Sequence, residues 1–97
     1  METKYGKAIF AASVLSMVLG YTQIRAATQC PPEGGQWNYG VGVLGSYSDY
    51  INQQFYHGST VNHNGVRYPA EAPAGKWSQA LANGIYSGCS FYYNIYQ

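Results

Sequence analysis

The chain has 97 residues and a formal net charge of +1, with 9% of residues charged and 16% aromatic. That length allows one small domain. So weak a charge excludes a nucleic-acid binder, which needs a basic face to replace phosphate counterions, and no cationic amphipathic helix of a membrane-disrupting peptide is present.

Residues 1–26 read as a secretory signal peptide. Lys4 and Lys7 form a positive start, Ala8 to Gly20 (AIFAASVLSMVLG) is an uncharged apolar run, and Tyr21 to Ala26 is more polar and ends in a small residue. The apolar run falls short of the roughly 20 residues that a membrane-spanning helix needs. Cleavage is expected after Ala26, with Ile24 and Ala26 at the recognition positions. The released protein is then secreted and soluble, with no stable membrane insertion. It retains Arg67 and Lys76 against Glu33, Asp49 and Glu71, a net charge of −1 with both histidines neutral.

Residues 27–36 form an irregular lead-in, because Pro31, Pro32 and the Gly34-Gly35 pair block regular structure. From Trp37 the pattern alternates. Trp37, Tyr39, Val41 and Val43 share one face of a strand, and Asn38, Gly40 and Gly42 the other. Gly45 breaks the run. Ser46 to Phe55 continues it, with Tyr47 and Ile51 on one face and Tyr50 on the other. Asn64-Gly65, between STVNH and VRY, predicts a hairpin with a type I′ turn. Pro69 to Gly75 is a predicted loop and Lys76 to Ala82 a strand, although its alanines also suit a short helix, with a second candidate hairpin turn at Asn83-Gly84. In the closing segment Cys89, Phe91, Tyr93 and Ile95 share a face.

Cys30 and Cys89 are the only cysteines. In an exported chain an even pair favours a disulfide. A bridge closing a loop of about 60 residues would contribute about 4 kcal/mol in the chain-entropy account. Short strands with turns every eight to twelve residues indicate an all-β sandwich or small barrel of five to seven strands.

Four segments together resemble the lactococcin 972 family of bacteriocins. They are Trp37-Asn38-Tyr39-Gly40-Val41-Gly42, then Tyr47-Ser48-Asp49-Tyr50 followed by Tyr56-His57-Gly58-Ser59, then Gly75-Lys76-Trp77, and Ser90 to Asn94 (SFYYN) close to the end. The resemblance covers the chain from about Trp37 onward and includes the leader architecture. It implies an antiparallel β-sandwich of two short sheets, about six strands over residues 37–97, following a helical signal peptide. It also implies a secreted antibacterial protein that blocks septum and cell-wall synthesis in related Gram-positive bacteria through the wall precursor lipid II. The alternative is a non-toxic secreted module that binds surface glycans. The chain differs from the family's best-known pattern in its cysteine pair, its slightly negative mature charge and a longer segment between Tyr50 and Tyr56.

A wall precursor presents sugars, a peptide and a pyrophosphate. Sugars suit flat aromatic faces with planar amides, here Tyr50, Tyr56, Tyr92 and Tyr96 with Asn38, Asn52 and Asn94. Pyrophosphate suits a cation such as Arg67, or a concavity of N–H groups at Gly34-Gly35 or Gly40-Gly42. His57 completes the expected ligand-binding set. His57 and His63 have no carboxylate or cysteine partner in sequence, so neither a metal nor a cofactor is expected. No hydrolase or zinc-protease signature is present, and the reading is of a non-enzyme. Expected partners are a cell-wall precursor or glycan of the target bacteria, with a dedicated immunity protein or transporter and a homodimer as further candidates.

Overall fold

A computed structural model describes residues 3–9 and 25–97. Eight strands run in chain order: β1 (Thr3–Ile9), β2 (Arg25–Gln29), β3 (Gln36–Val41), β4 (Gly45–Ile51), β5 (His57–His63), β6 (Val66–Ala72), β7 (Trp77–Asn83) and β8 (Cys89–Tyr96). They form two four-stranded antiparallel sheets, β1-β8-β5-β6 (sheet I) and β2-β3-β4-β7 (sheet II). The all-β sandwich expected from the alternating pattern is the fold of this chain. No helix occurs among the described residues.

The register shows which phase of each strand faces in. On β8, Cys89, Phe91, Tyr93 and Ile95 are all buried, and β3 buries Trp37, Tyr39 and Val41. Rings of Trp37, Tyr39, Tyr50, Phe91 and Tyr93 form a chain of tilted contacts with centroids 4.3 to 5.4 Å apart. Burying one such ring contributes about 1.5–3 kcal/mol. Room for them comes from the facing strands, where β4 turns in Ser46 and Ser48 and β7 turns in Ser78, Ala80 and Ala82. The buried serines are all hydrogen-bonded. Trp37 Nε1 donates to Ser48 Oγ (2.9 Å), which donates to Tyr92 O on the other sheet (3.0 Å). Ser59 and Ser78 link the sheets at 2.9 Å, and Ser46 Oγ donates to Ile85 O.

Asn64 (φ 51°) and Gly65 (φ 83°) make the β5–β6 turn, both in the left-handed region that a type I′ hairpin demands. Gly45 sits at φ 141°, where a Cβ would lie 2.2 Å from Ala82 O, so only glycine fits against β7 there.

The structure departs from the sequence reading in several places. Thr3–Ile9, expected in a helical leader, is an extended strand on the edge of β8; most of the expected apolar run lies outside the described residues. β2 pairs with β3 through residues 25–29, where the end of the leader and, from residue 27, an irregular segment were expected. A cut after Ala26 would remove β1 and the first two residues of β2. The strand after the hairpin does not stop at Pro69 but runs to Ala72, because β6 is a sheet edge, where proline's missing N–H is tolerated. Asn83-Gly84 does not close a hairpin: β7 belongs to sheet II and β8 to sheet I, so this connection crosses between sheets.

The expected disulfide is absent. Cys30 and Cys89 are both free, Cys30 exposed and Cys89 buried. Cys89 lies beside Ser46, which pairs with Val41 at one end of β3. Cys30 follows Gln29, which pairs with Trp37 at the other end. The four steps along β3 from Trp37 to Val41 span about 13 Å, whereas a bridge needs Cα atoms within about 7 Å.

Candidate functional site

The register gathers four of the six sequence-predicted ligand residues on the outer face of sheet I. Successive rows across β8, β5 and β6 are Ser90–Asn62–Arg67, Tyr92–Thr60–Pro69 and Asn94–Gly58–Glu71. Tyr96 and Tyr56 close the face at its lower end, where Tyr96 N donates to Tyr56 O (2.9 Å). Their rings are 5.7 Å apart, and both hydroxyls donate to the Glu71 carboxylate, Tyr96 at 2.8 Å and Tyr56 at 3.2 Å. That hydrogen bond to Glu71, with burial adding to it, pushes the Tyr56 phenol up from its ordinary value.

Asn94 stands beside this pair. It is only 8% exposed, and its Nδ2 has no hydrogen-bond partner among the described residues. Gly58 leaves space for it, since a Cβ there would come within 2.9 Å of Asn94 Oδ1. A buried amide with no acceptor is costly, so this is a place where a ligand oxygen gains. Arg67 is exposed at the other end of the face. Glu71 lies four positions further along β6, about 13 Å away, so cation and carboxylate do not cancel. The face thus carries a tilted pair of phenols, a carboxylate and an amide at one end and a guanidinium at the other, with the half-buried Tyr92 between.

The other two predicted residues are not on a surface. Tyr50 is fully buried and its hydroxyl donates to Gly34 O (2.7 Å). His57, also fully buried, packs edge-on to Tyr50 and joins two loops, with Nδ1 2.8 Å from Phe55 O and Nε2 2.7 Å from Lys76 O. Both are structural, because their strand phase faces the opposing sheet. Asn52 is likewise buried; it donates to Tyr50 Oη and its Oδ1 caps the N–H groups of Gln54 and Phe55. The suggested N–H concavities are already used in part, with Gly34 N bound to Pro31 O and Gly42 N to Gly45 O. Among the described residues no three His, Cys, Asp or Glu side chains gather as a metal site would require.

A family model for a bacteriocin, lactococcin 972, matches residues 33–93. The chain belongs to the lactococcin 972 bacteriocin family. The match spans β3 to β8 apart from the last residues of β8, so all three rows of the outer face fall within it except Asn94, which lies one residue beyond its end. No curated protein and no solved structure matches the chain. Family membership makes this an antibacterial protein, and no helix among its described residues is long and apolar enough to cross a membrane.

Sequence reasoning about this lactococcin 972 family member missed Glu71 and gave Asn94 no special place. The signal for Glu71 was available: had β6 been carried through Pro69, period two places Glu71 on Arg67's face. Nothing in the sequence marks the orphaned amide, which depends on the packing of three strands.

Proposed function

We propose that the protein is exported after loss of its leader and stops septum and wall synthesis in related Gram-positive bacteria by binding the wall precursor lipid II on the outer face of sheet I. The observation that carries this reading is the family match together with the polarity of that face. Phenol rings, a carboxylate and an unpartnered amide suit sugar hydroxyls, and an arginine about 13 Å away suits the pyrophosphate that follows the sugars. Inhibition by binding requires no catalytic group and no pore.

Protein recovered from the producer's medium, spotted on lawns of related Gram-positive strains, should give inhibition zones. Treated cells should arrest at septation before any dye leaks. Folded protein without effect across a broad panel, or a prompt collapse of membrane potential, would overturn the proposal.

A further inference from the structure

The opposite side of the sandwich carries a second constellation. The outer face of sheet II has rows Gln36–Ile51–Trp77, Thr28–Asn38–Asp49–Gln79 and Ala26–Gly40–Tyr47–Leu81. Next to the last two rows lies an open groove of about 560 Å³, whose lining includes Val43, Leu44, Tyr47, Asp49, Gln79 and Leu81. Its rim is the β3–β4 connection, where Val43 and Leu44 are 74% and 63% exposed. This loop is fastened in place: Gly42 N donates to Gly45 O, Gly84 N to Leu44 O and Tyr86 Oη to Val43 O, each at 2.8 Å. The exposed aliphatic rim is therefore held ready before any ligand arrives.

Inside the groove, the Asp49 carboxylate takes part in no hydrogen bond or ion pair with any described residue. Burial alone pushes it up to about 6, with no charged neighbour contributing. The groups facing it are Asn38 and Gly40 from β3, Gln79 and Leu81 from β7, Thr28 from β2, and Tyr47 and Ile51 from its own strand. Of these only Tyr47 ionises, and burial, with Asp49 adding to it, raises that phenol further, keeping it neutral. Asn38 is already engaged by Thr28 Oγ1 and Gln36 Nε2. A half-buried anion between aliphatic walls and a phenol ring lacks one thing, a cation.

We infer that this groove binds a primary ammonium carried on an aliphatic stem, as in a lysine-type side chain of a peptide. The ammonium forms charge-assisted hydrogen bonds to Asp49 and lies against the Tyr47 ring, while the methylenes cover Val43, Leu44 and Leu81. One carboxylate with only neutral amides beside it, Asn38 and Gln79, makes a poor metal site, and an anionic ligand is repelled. A sugar would meet aliphatic walls where it needs hydrogen-bonding partners. That the natural source is a diamino residue of the wall peptide rests on the proposed function; the site itself does not.

The test is a titration of the intact, isotope-labelled protein with Nα-acetyl-lysine methylamide, followed by amide chemical shifts. Saturable shifts are expected at Tyr47, Asp49, Gln79 and Leu81, lost in Asp49→Asn and lost with the Nα,Nε-diacetyl analogue. Because the carboxyl titrates at about 6, affinity should drop about tenfold from pH 7 to pH 5. Absence of saturable shifts, or equal binding by the diacetyl probe or by Asp49→Asn, overturns the inference. If the probe fails to bind while inhibition zones persist, only the groove is wrong; if it binds and zones are absent, only the antibacterial mechanism is.

Discussion

Replacing Asp49 by asparagine should stabilise the protein at neutral pH, and the size of the gain follows from the groove. Burial moves this carboxyl from 3.8 to about 6. The shift corresponds to about 3 kcal/mol at 1.36 kcal/mol per tenfold change, and water reaching the partly open carboxylate reduces it to ~1–1.5 kcal/mol. The sign is fixed by which state holds the proton more tightly. Between pH 4 and pH 6 the folded state binds more protons at Asp49 than the unfolded chain, so raising the pH through that window costs stability. The contribution is intact below the unfolded value of 3.8 and gone above about 6. Asp49→Asn should match the parent near pH 4 and exceed it by ~1 kcal/mol at pH 7 to 8, about 4–8 °C in Tm for a domain of this size. Urea and thermal melts of both proteins at one-unit pH intervals measure this difference directly, and other titrating groups cancel between them. Parallel curves, or a variant less stable at pH 8, would show that Asp49 already has a partner.

Phe91→Ala should cost about 3–5 kcal/mol, because Phe91 is fully buried against Tyr39; urea midpoints measure it, and a loss under 1 kcal/mol would contradict the packing. In the native protein one thiol should react with Ellman's reagent: Cys30 is exposed, whereas Cys89 is buried and its pKa is raised by that burial. Denaturation should release the second, and reductant should leave Tm unchanged; a fall of several degrees would reveal a bridge. A chain beginning at Ala27 lacks β1, so the β8 amides that face β1 should lose hydrogen-exchange protection while those facing β5 keep it. Uniform protection across β8 in both chains would show that β1 is not its neighbour.

The elements written most clearly in the sequence were those with one apolar and one polar phase. In β8 the inward positions are Cys89 and three large side chains, Phe91, Tyr93 and Ile95, and the Asn64-Gly65 turn has a conformation that few other residue pairs permit. β4 and β7 were harder. β7 presents Trp77 and Leu81 outward and Ser78, Ala80 and Ala82 inward, the reverse of a hydrophobicity argument. The small residues are inside because aromatic rings from the other strands occupy that volume, which is a property of two sheets together. The same cause placed Tyr50 in the core, since tyrosines occur on both phases of β4. Of the candidate site, Tyr56, Tyr92, Tyr96 and Arg67 were legible as residue types. Adding Glu71 to their face required knowing that β6 continues through Pro69, and the Asn94 orphan required the full packing. The cysteine pair misled because redox compartment favours a bridge whereas the register of β2 and β8 sets the sulfurs at opposite ends of the sandwich.

The central claim is that a wall precursor is held across the outer face of sheet I. Fluorescent lipid II titrated into the exported protein, alongside Arg67→Ala and Tyr96→Phe, addresses it most directly. Saturable binding to the parent is expected, with at least a tenfold loss for Arg67→Ala, about 1.4 kcal/mol, and a smaller loss for Tyr96→Phe. No binding to the folded parent, or equal affinity in all three proteins, would contradict it.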